Sequence, residues 1–384
     1  MPSGPLLVLL ALIFLKQIGN GMVWSVIALF GQSLGASAGM IGLMISVYGG
    51  ARLMVNMPAG YLSERLGRRT MMSFGCAILA VSSLAVFFVT NVAGFFICLL
   101  VMGAASAAFM TSALAAVVDL GTPGRRIQDA SYYQASNMIG ASMGPAIGGI
   151  TAGLWGYGAP YLINALIALF GVVAFAVMPW KQTTEKREKP KPEKGALKEF
   201  ARQGVSIGLM YFTIFYVRVA SNWVLLPLIG TSKFDLDMTT IGMILTGGAL
   251  ANLGVITVTA RLARLVGRVW VIVIASCLTL MACALLAFAQ QAWMLWLCSI
   301  LFGATSGLAA PTIIAYVADI APENQRGPAM GLLRTMQDLS LILGPLCTGL
   351  LSDHLGLGYQ GGLFGCLVLL SVATLVFRLN ASRG

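Results

Sequence analysis

The chain has 384 residues, of which 58% are hydrophobic and only 10% charged. A soluble globular domain carries about 25% charged residues, so this composition excludes an ordinary soluble protein and points to a polytopic membrane protein. The net charge of +11 does not indicate nucleic-acid binding, because the basic residues gather between apolar stretches.

The first apolar run lies near residues 6–30. A cleavable secretory leader would need a basic segment before a shorter apolar core. No Lys or Arg precedes this run, and Ala36-Ser37-Ala38 is only a weak imitation of a cleavage site, so a retained first helix is expected. Further stretches of about 20 residues, enough to cross the hydrocarbon, follow near 41–61, 70–90, 93–118, 131–155, 159–179, 205–229, 239–260, 269–289, 292–318, 329–352 and 361–379. Twelve spans result. They are expected to be helices, which satisfy their own backbone groups without water.

Residues 181–203, "KQTTEKREKPKPEKGALKEFARQ", break the apolar texture and read as a charged linker. Two six-helix bundles are therefore expected, 1–180 and 204–384. Lys and Arg set orientation. The loops after even-numbered spans hold Arg65, Arg68, Arg69, Arg125, Arg126, Arg261, Arg264, Arg268 and Arg326, whereas those after odd-numbered spans hold only Lys233 and His354. Both termini are expected on the cytoplasmic side of a bacterial inner membrane, in a monomer.

The halves repeat at an offset of 200 residues. "IGLMI" at 41–45 meets "IGMIL" at 241–245, and Leu62, Gly67 and Arg68 meet Leu262, Gly267 and Arg268. Gly103, Ser106, Asp119 and Arg126 meet Gly303, Ser306, Asp319 and Arg326; Gly144-Pro145 and Gly149 meet Gly344-Pro345 and Gly349. Paired repeats are the pattern of a secondary transporter that rocks about a central site.

The loop "GYLSERLGRRT", residues 60–70, resembles the signature G-x-L-x-D-R-x-G-R-R/K of the major facilitator superfamily, with Glu64 in place of the aspartate. The resemblance covers the whole chain and implies two pseudo-symmetric bundles of that fold. It also implies that Glu64, Arg65, Gly67, Arg68 and Arg69 latch the cytoplasmic side, with Glu64 at the N-terminus of span 11. Asp119 can pair with Arg65 or Arg68, and Asp319 with Arg268; Arg264 stands where the second-half loop would need its acid. "GASMGPAIGG" in span 5 resembles the motif of drug:proton antiporters in the same superfamily, through Gly140, Gly144, Pro145, Gly148 and Gly149. Small residues allow close helix approach and Pro145 bends the helix, so a leak-tight hinge against Gly247-Gly248 is expected. The resemblance to that branch stops at span 4, where Leu99 and Met102 replace the arginine and glutamine of R-x-x-Q-G before Gly103.

Charges at mid-span positions are few: Lys16, Arg52, Arg218, and Arg334 with Asp338. Spans 3, 6, 9 and 12, the outer helices of the resembled fold, carry none at such positions. Lys16 lies about ten residues, or roughly 15 Å, into its helix. A cation at mid-bilayer costs about 2.5–3.5 kcal/mol on insertion scales. Arg334 and Asp338 stand at i and i+4 and can pair with each other, which leaves Lys16, Arg52 and Arg218 without deep acids. These cations are expected to meet a small anionic or zwitterionic organic substrate, with Asn20, Tyr48, Asn222, Asn252 and Gln337 supplying neutral hydrogen bonds. Trp24 and Trp223 are open between ligand stacking and packing. Sugar-phosphate exchangers of the resembled superfamily place cations on spans 1 and 7 in a similar way. Lys16 is either a fixed charge awaiting an anion or a neutral amine awaiting a proton; Asp338, Arg334 and Lys16 are the proton-coupling candidates.

No nucleophile with a base, metal-ligand cluster or phosphate-binding loop argues for an enzyme, and no cofactor or metal is expected. Cys76, Cys98, Cys277, Cys283, Cys298, Cys347 and Cys366 all fall in apolar runs without a CxxC pair and read as structural thiols. The lone histidine, His354, lies in an expected loop. The partners expected are the substrate, a proton or other coupling ion, and the bilayer. Export coupled to protons is the leading expectation, with multidrug efflux of cationic or lipophilic compounds and organic-anion uptake or exchange as alternatives.

Overall fold

The computed structural model describes residues 4–120, 126–177, 197–320, 326–354 and 358–381. The helices are α1 (Gly4–Ser33), α2 (Ala38–Leu66), α3 (Arg68–Phe87), α4 (Val92–Leu120), α5 (Arg126–Trp155) and α6 (Ala159–Val177), then α7 (Leu197–Arg218), a π-helical segment (Val219–Leu225) and α8 (Leu226–Phe234), which run on without interruption. After them come α9 (Met238–Val266), α10 (Arg268–Ala287), α11 (Trp293–Ile320), α12 (Arg326–His354) and α13 (Tyr359–Ala381). With α7, the π segment and α8 taken as one run, the described residues form twelve long helical runs, matching the twelve expected. Ten are long and apolar enough to cross a membrane by length and composition. The other two, α5 and α12, are 30 and 29 residues long. Their mean hydropathy is lowered by the glycines, serines and polar residues that carry the motifs. The chain is an integral membrane protein.

Residues 178–196, most of the expected linker, lie outside the described residues, and α7 begins at Leu197 within that stretch. Leu, Lys, Glu, Ala and Arg there are good helix formers. Two glycines close corresponding turns: Gly67 between α2 and α3 at φ 92° and Gly267 between α9 and α10 at φ 87°. A side chain resists this left-handed geometry, so the repeat of Gly67 at Gly267 has a backbone reason.

Two compact units emerge. Unit one comprises Met1–Ala36, Val47–Glu185 and Asp237–Thr246; unit two comprises Ser37–Ser46, Lys186–Leu236 and Gly247–Gly384. In unit one α1 packs on α5 and α6, and α3 on α4 and α6. Its core gathers Leu9, Ile13, Met72, Phe109, Val117 and Phe175, all fully buried. In unit two α10 packs on α11 and α13, and α12 on α7 and α13.

The seam between α1 and α5 is built on glycines. A Cβ on Gly144 would lie 2.5 Å from Gly21 Cα, and one on Gly148 2.6 Å from the Met22 carbonyl. Packing this close substitutes van der Waals contact for the missing hydrophobic drive between helices in lipid. The 237–246 segment of α9 also belongs to unit one. There Gly149 and Gly242 are so close that a Cβ on either would lie 2.7 Å from the other's Cα. The expected receiving pair, Gly247-Gly248, does not fill that role: Gly247 faces the Trp296 ring, and a Cβ on Gly248 would press on Ser299 in α11. The contact lies one helical turn or more away along α9. It arises because Gly242 is the residue of that helix that brings its backbone against Gly149.

Candidate functional site

Lys16 is 4% exposed, in the middle of α1. Its Nζ donates to Ser106 Oγ at 3.0 Å on α4 and to Gln17 Oε1 at 3.4 Å. It also sits 5.7 Å from the centre of the Phe109 ring. Among the described residues no carboxylate comes within ion-pair distance of it. The charge it feels from a neighbour is that of Arg52 on α2, which is of the same sign. One turn and two turns further along the same face of α1 come Asn20 and Trp24. The Tyr48 hydroxyl donates to Asn20 Oδ1 at 3.4 Å, and the Tyr48 and Trp24 rings meet edge to face at 5.2 Å. Unit one thus carries Lys16, Arg52, Asn20 and Tyr48 on facing stretches of α1 and α2.

Unit two carries the remaining candidates. Arg218 ends α7, immediately before the π segment, and its Nε is buried without a hydrogen-bond partner. Its guanidinium lies 5.4 Å from the Trp223 ring centre and 5.9 Å from that of Phe215. Asn222, within the π segment, and Asn252 on α9 are 6% and 8% exposed, each with an Oδ1 that lacks a partner. Both amide oxygens are therefore buried acceptors with capacity to spare, a costly state unless another group can reach them. On α12 Arg334 pairs with Asp338 at 3.9 Å and donates to Gln337 Oε1 at 3.4 Å. Asp338 is buried while Arg334 is half exposed.

The loop charges form repeated pairs. Arg68 meets Asp119 at 3.1 Å and also donates to Ser63, and Arg268 meets Asp319 in the same relative position. Of the two sequence alternatives for Asp119, the structure selects Arg68; Arg65 instead lies over the Tyr61 ring at 4.4 Å. Arg69 donates to the Phe175 and Ala176 carbonyls at the end of α6. Glu64 is exposed on the last turn of α2.

The roles of three polar features escape a reading of the sequence. Asp129, on the first turn of α5, is 5% exposed and has one carboxylate oxygen without a partner, so Asp338 is not the only buried acid. An acid in a helix's first turn is the signal that was available, since the N-terminal dipole favours it. Ser106 looks like one more small residue among its alanine neighbours. The π segment VASNWVL has no sequence marker at all, although such segments are frequent at functional sites.

A family model described as the Major Facilitator Superfamily matches residues 9–220 and 207–383. Multidrug resistance protein 1 of Bacillus subtilis is 25% identical over 91% of this chain and 90% of its own length. The quinolone resistance protein NorA of Staphylococcus aureus is 24% identical over 89% of this chain and 88% of its own. Among solved structures, a bacterial homolog of the human lysosomal transporter Spinster superposes with a TM-score of 0.81 at 13% identity, covering 98% of this chain and 96% of that one.

Proposed function

The chain belongs to the major facilitator superfamily, a family of transporters and not of enzymes; from that premise we propose that it is a secondary active transporter exporting a small anionic or zwitterionic organic molecule, driven by protons. The observation that carries this reading is the ammonium of Lys16. It is buried and meets a hydroxyl, an amide oxygen and an aromatic face, with no carboxylate in ion-pair reach among the described residues. A buried cation without a carboxylate is costly, and an anionic ligand group offsets that cost. Arg52, Asn20 and Tyr48 would act with Lys16 in unit one. Arg218, Asn222, Asn252 and Gln337 would act in unit two.

Alternating access assigns the other motifs their proposed roles. The Arg68–Asp119 and Arg268–Asp319 pairs, with Glu64, Arg65, Gly67 and Arg69, would gate the end bearing the arginine-rich loops. The Gly140–Gly149 motif of α5 would keep its seams leak-tight. Asp338, adjusted by Arg334, and Lys16 are the proposed proton carriers. Both termini would lie on the cytoplasmic side, a reading supported by the arginine-rich loops.

Multidrug efflux of cationic or lipophilic compounds is the second reading. It is favoured by the two resistance proteins among the relatives and by the α5 motif.

The deciding experiment is a thermal-shift screen of the purified protein, with small carboxylates and phosphate monoesters set against quaternary ammonium compounds. Anions are expected to stabilise the wild type and to lose that effect in Lys16→Ala and Arg218→Ala. Stabilisation by cations alone, or by anions equally in wild type and both variants, overturns the anionic reading in favour of the second.

A further inference from the structure

Helix α2 has a borrowed cap. Ser37 precedes it, its Oγ accepts from Met40 N–H at 3.3 Å, and its carbonyl accepts the first helical bond from Ile41. The Gly39 N–H, one of the amides that no intrahelical partner can satisfy, donates instead to Asp353 Oδ2 at 2.8 Å. Ser37 Oγ donates to the same oxygen at 2.7 Å. Asp353 is the last residue but one of α12, so a carboxylate from the end of one helix completes the start of another.

The contact crowns a tight seam within unit two. Ser46 Oγ donates to the Ile342 carbonyl, Gly42 lies against the Pro345 carbonyl, and Gly349 against the Ala38 carbonyl. A Cβ on Gly39 would reach within 2.6 Å of the Asp353 carboxylate. The seam lies at the end of α2 remote from Arg65.

The half-repeat supplies the comparison. At the 200-residue offset, Gly42, Pro345 and Gly349 become Gly242, Pro145 and Gly149, which form the matching seam within unit one. Ser37, however, becomes Asp237, and Asp353 becomes Gly153. Asp237 caps its own helix, accepting from Thr239 N–H at 3.1 Å and from the Thr240 hydroxyl. Parting the α9–α5 seam therefore leaves the cap of α9 intact. Parting the α2–α12 seam takes away the acceptor of the Gly39 amide, leaving α2 only the Ser37–Met40 bond, and strips Asp353 of both donors.

We propose that Asp353 is a latch on the α2–α12 seam, which makes this seam harder to open than its α9–α5 counterpart. Rocking of one repeat against the other requires contacts by which a helix is held outside its own repeat to be broken in each cycle. Residues 37–46 belong in sequence to the first repeat but in structure to unit two. Charge-assisted hydrogen bonds are about twice as strong as neutral ones, so the latch weights the cycle toward states in which this seam is shut. The latch does not depend on which substrate is carried.

The test reads alkylation of a cysteine placed at Ser46, 5% exposed at the inner end of the seam, by peptide mass so that native cysteines do not interfere. It uses the full chain in lipid nanodiscs. Asp353→Asn is expected to raise the alkylation rate about tenfold, the factor that one lost charge-assisted bond carries, and Asp353→Ala by at least as much. The double variant Ser37→Asp with Asp353→Gly copies the other seam's arrangement. It restores a cap to α2 without the latch, so it should melt like the wild type yet keep the fast alkylation. A double variant as protected as the wild type overturns the proposal, as does wild-type protection in Asp353→Asn. Should Asp353→Asn fail to fold, the self-capped double variant decides alone.

Discussion

Lys16 exchanges water for the Ser106 hydroxyl, the Gln17 amide oxygen and the Phe109 ring. Replacing a buried charge by an apolar side chain of similar volume is often neutral or stabilising by about 1–4 kcal/mol. Lys16→Met is therefore expected to raise the melting temperature of the purified protein while abolishing transport in proteoliposomes. A variant that melts lower yet transports normally would make the ammonium structural. Ser106→Ala removes the stronger of the two side-chain bonds and should destabilise by about 1.5–3 kcal/mol, an effect that disappears in the Lys16→Met background if the pair is coupled. Outside the membrane spans, the bond from the Thr240 hydroxyl holds the Asp237 carboxyl below the usual aspartate range. A group whose pKa falls on folding stabilises the fold above its unfolded value, about 3.9, and loses that effect as pH drops through the lower folded value. Asp237→Ala should thus cost about 0.5–2 kcal/mol at pH 7, and the gap to the wild type should narrow as pH falls below about 3.9. A gap of constant size across that range would show that the carboxylate does not do the capping. At this scale the deep cations are legible because charge is so rare in an apolar chain. Asp129, Asp237 and Asp353 are not, because an acid at a helix end looks in sequence like an ordinary loop residue.

Close packing of α1 on α5 rests on backbone meeting backbone. A Cβ at position 144 would meet Gly21 Cα at 2.5 Å and the Ile18 carbonyl at 2.6 Å, neither of which can move without shifting α1. Gly144→Ala is expected to abolish transport and lower the melting temperature. Gly50→Ala on α2, where a Cβ meets nothing within 4 Å, should melt and transport like the wild type. Equal behaviour of the two would mean that α1 can yield. The π segment is a second element-scale device. One extra residue in the turn breaks the α-helical register between Arg218 and Leu226, and the Asn222 amide oxygen within that segment has no partner. Deleting Ala220 should return the run to a plain α-helix. The expected product folds with unchanged helical circular dichroism but no longer transports; a fully active deletion would show the π turn to be incidental. Helix positions were readable from hydropathy because a span needs length and apolarity and little else. The helix partners were only partly readable. The offset pairs Pro145 with Pro345 and Gly149 with Gly349, but which residue of α9 lies against α5 depends on helix rotation, and that put the contact at Gly242 instead of Gly247-Gly248.

The repeat is visible in sequence, whereas the sharing of helices between the units is not. Local hydropathy carries no record of which distant backbone a glycine faces. Residues 237–246 of the second repeat pack in unit one on Gly149 and Gly153, and residues 37–46 of the first pack in unit two on Pro345, Gly349 and Asp353. Cutting the chain in the linker therefore leaves each repeat without a piece of its own unit. Residues 1–180 alone would expose the α5 glycines that α9 covers. Residues 204–384 alone would leave Asp353 without Ser37 and Gly39. In lipid those surfaces gain no hydrophobic penalty from exposure, but they lose dense van der Waals contact and, at Asp353, two hydrogen bonds. Each half expressed singly is expected to be digested rapidly by a protease added to membranes. The two halves expressed together should copurify through a tag on either one and resist digestion like the intact chain. If residues 1–180 alone match the intact chain in protease resistance, the 237–246 segment contributes nothing to unit one, and the glycine seam of α5 is complete without it.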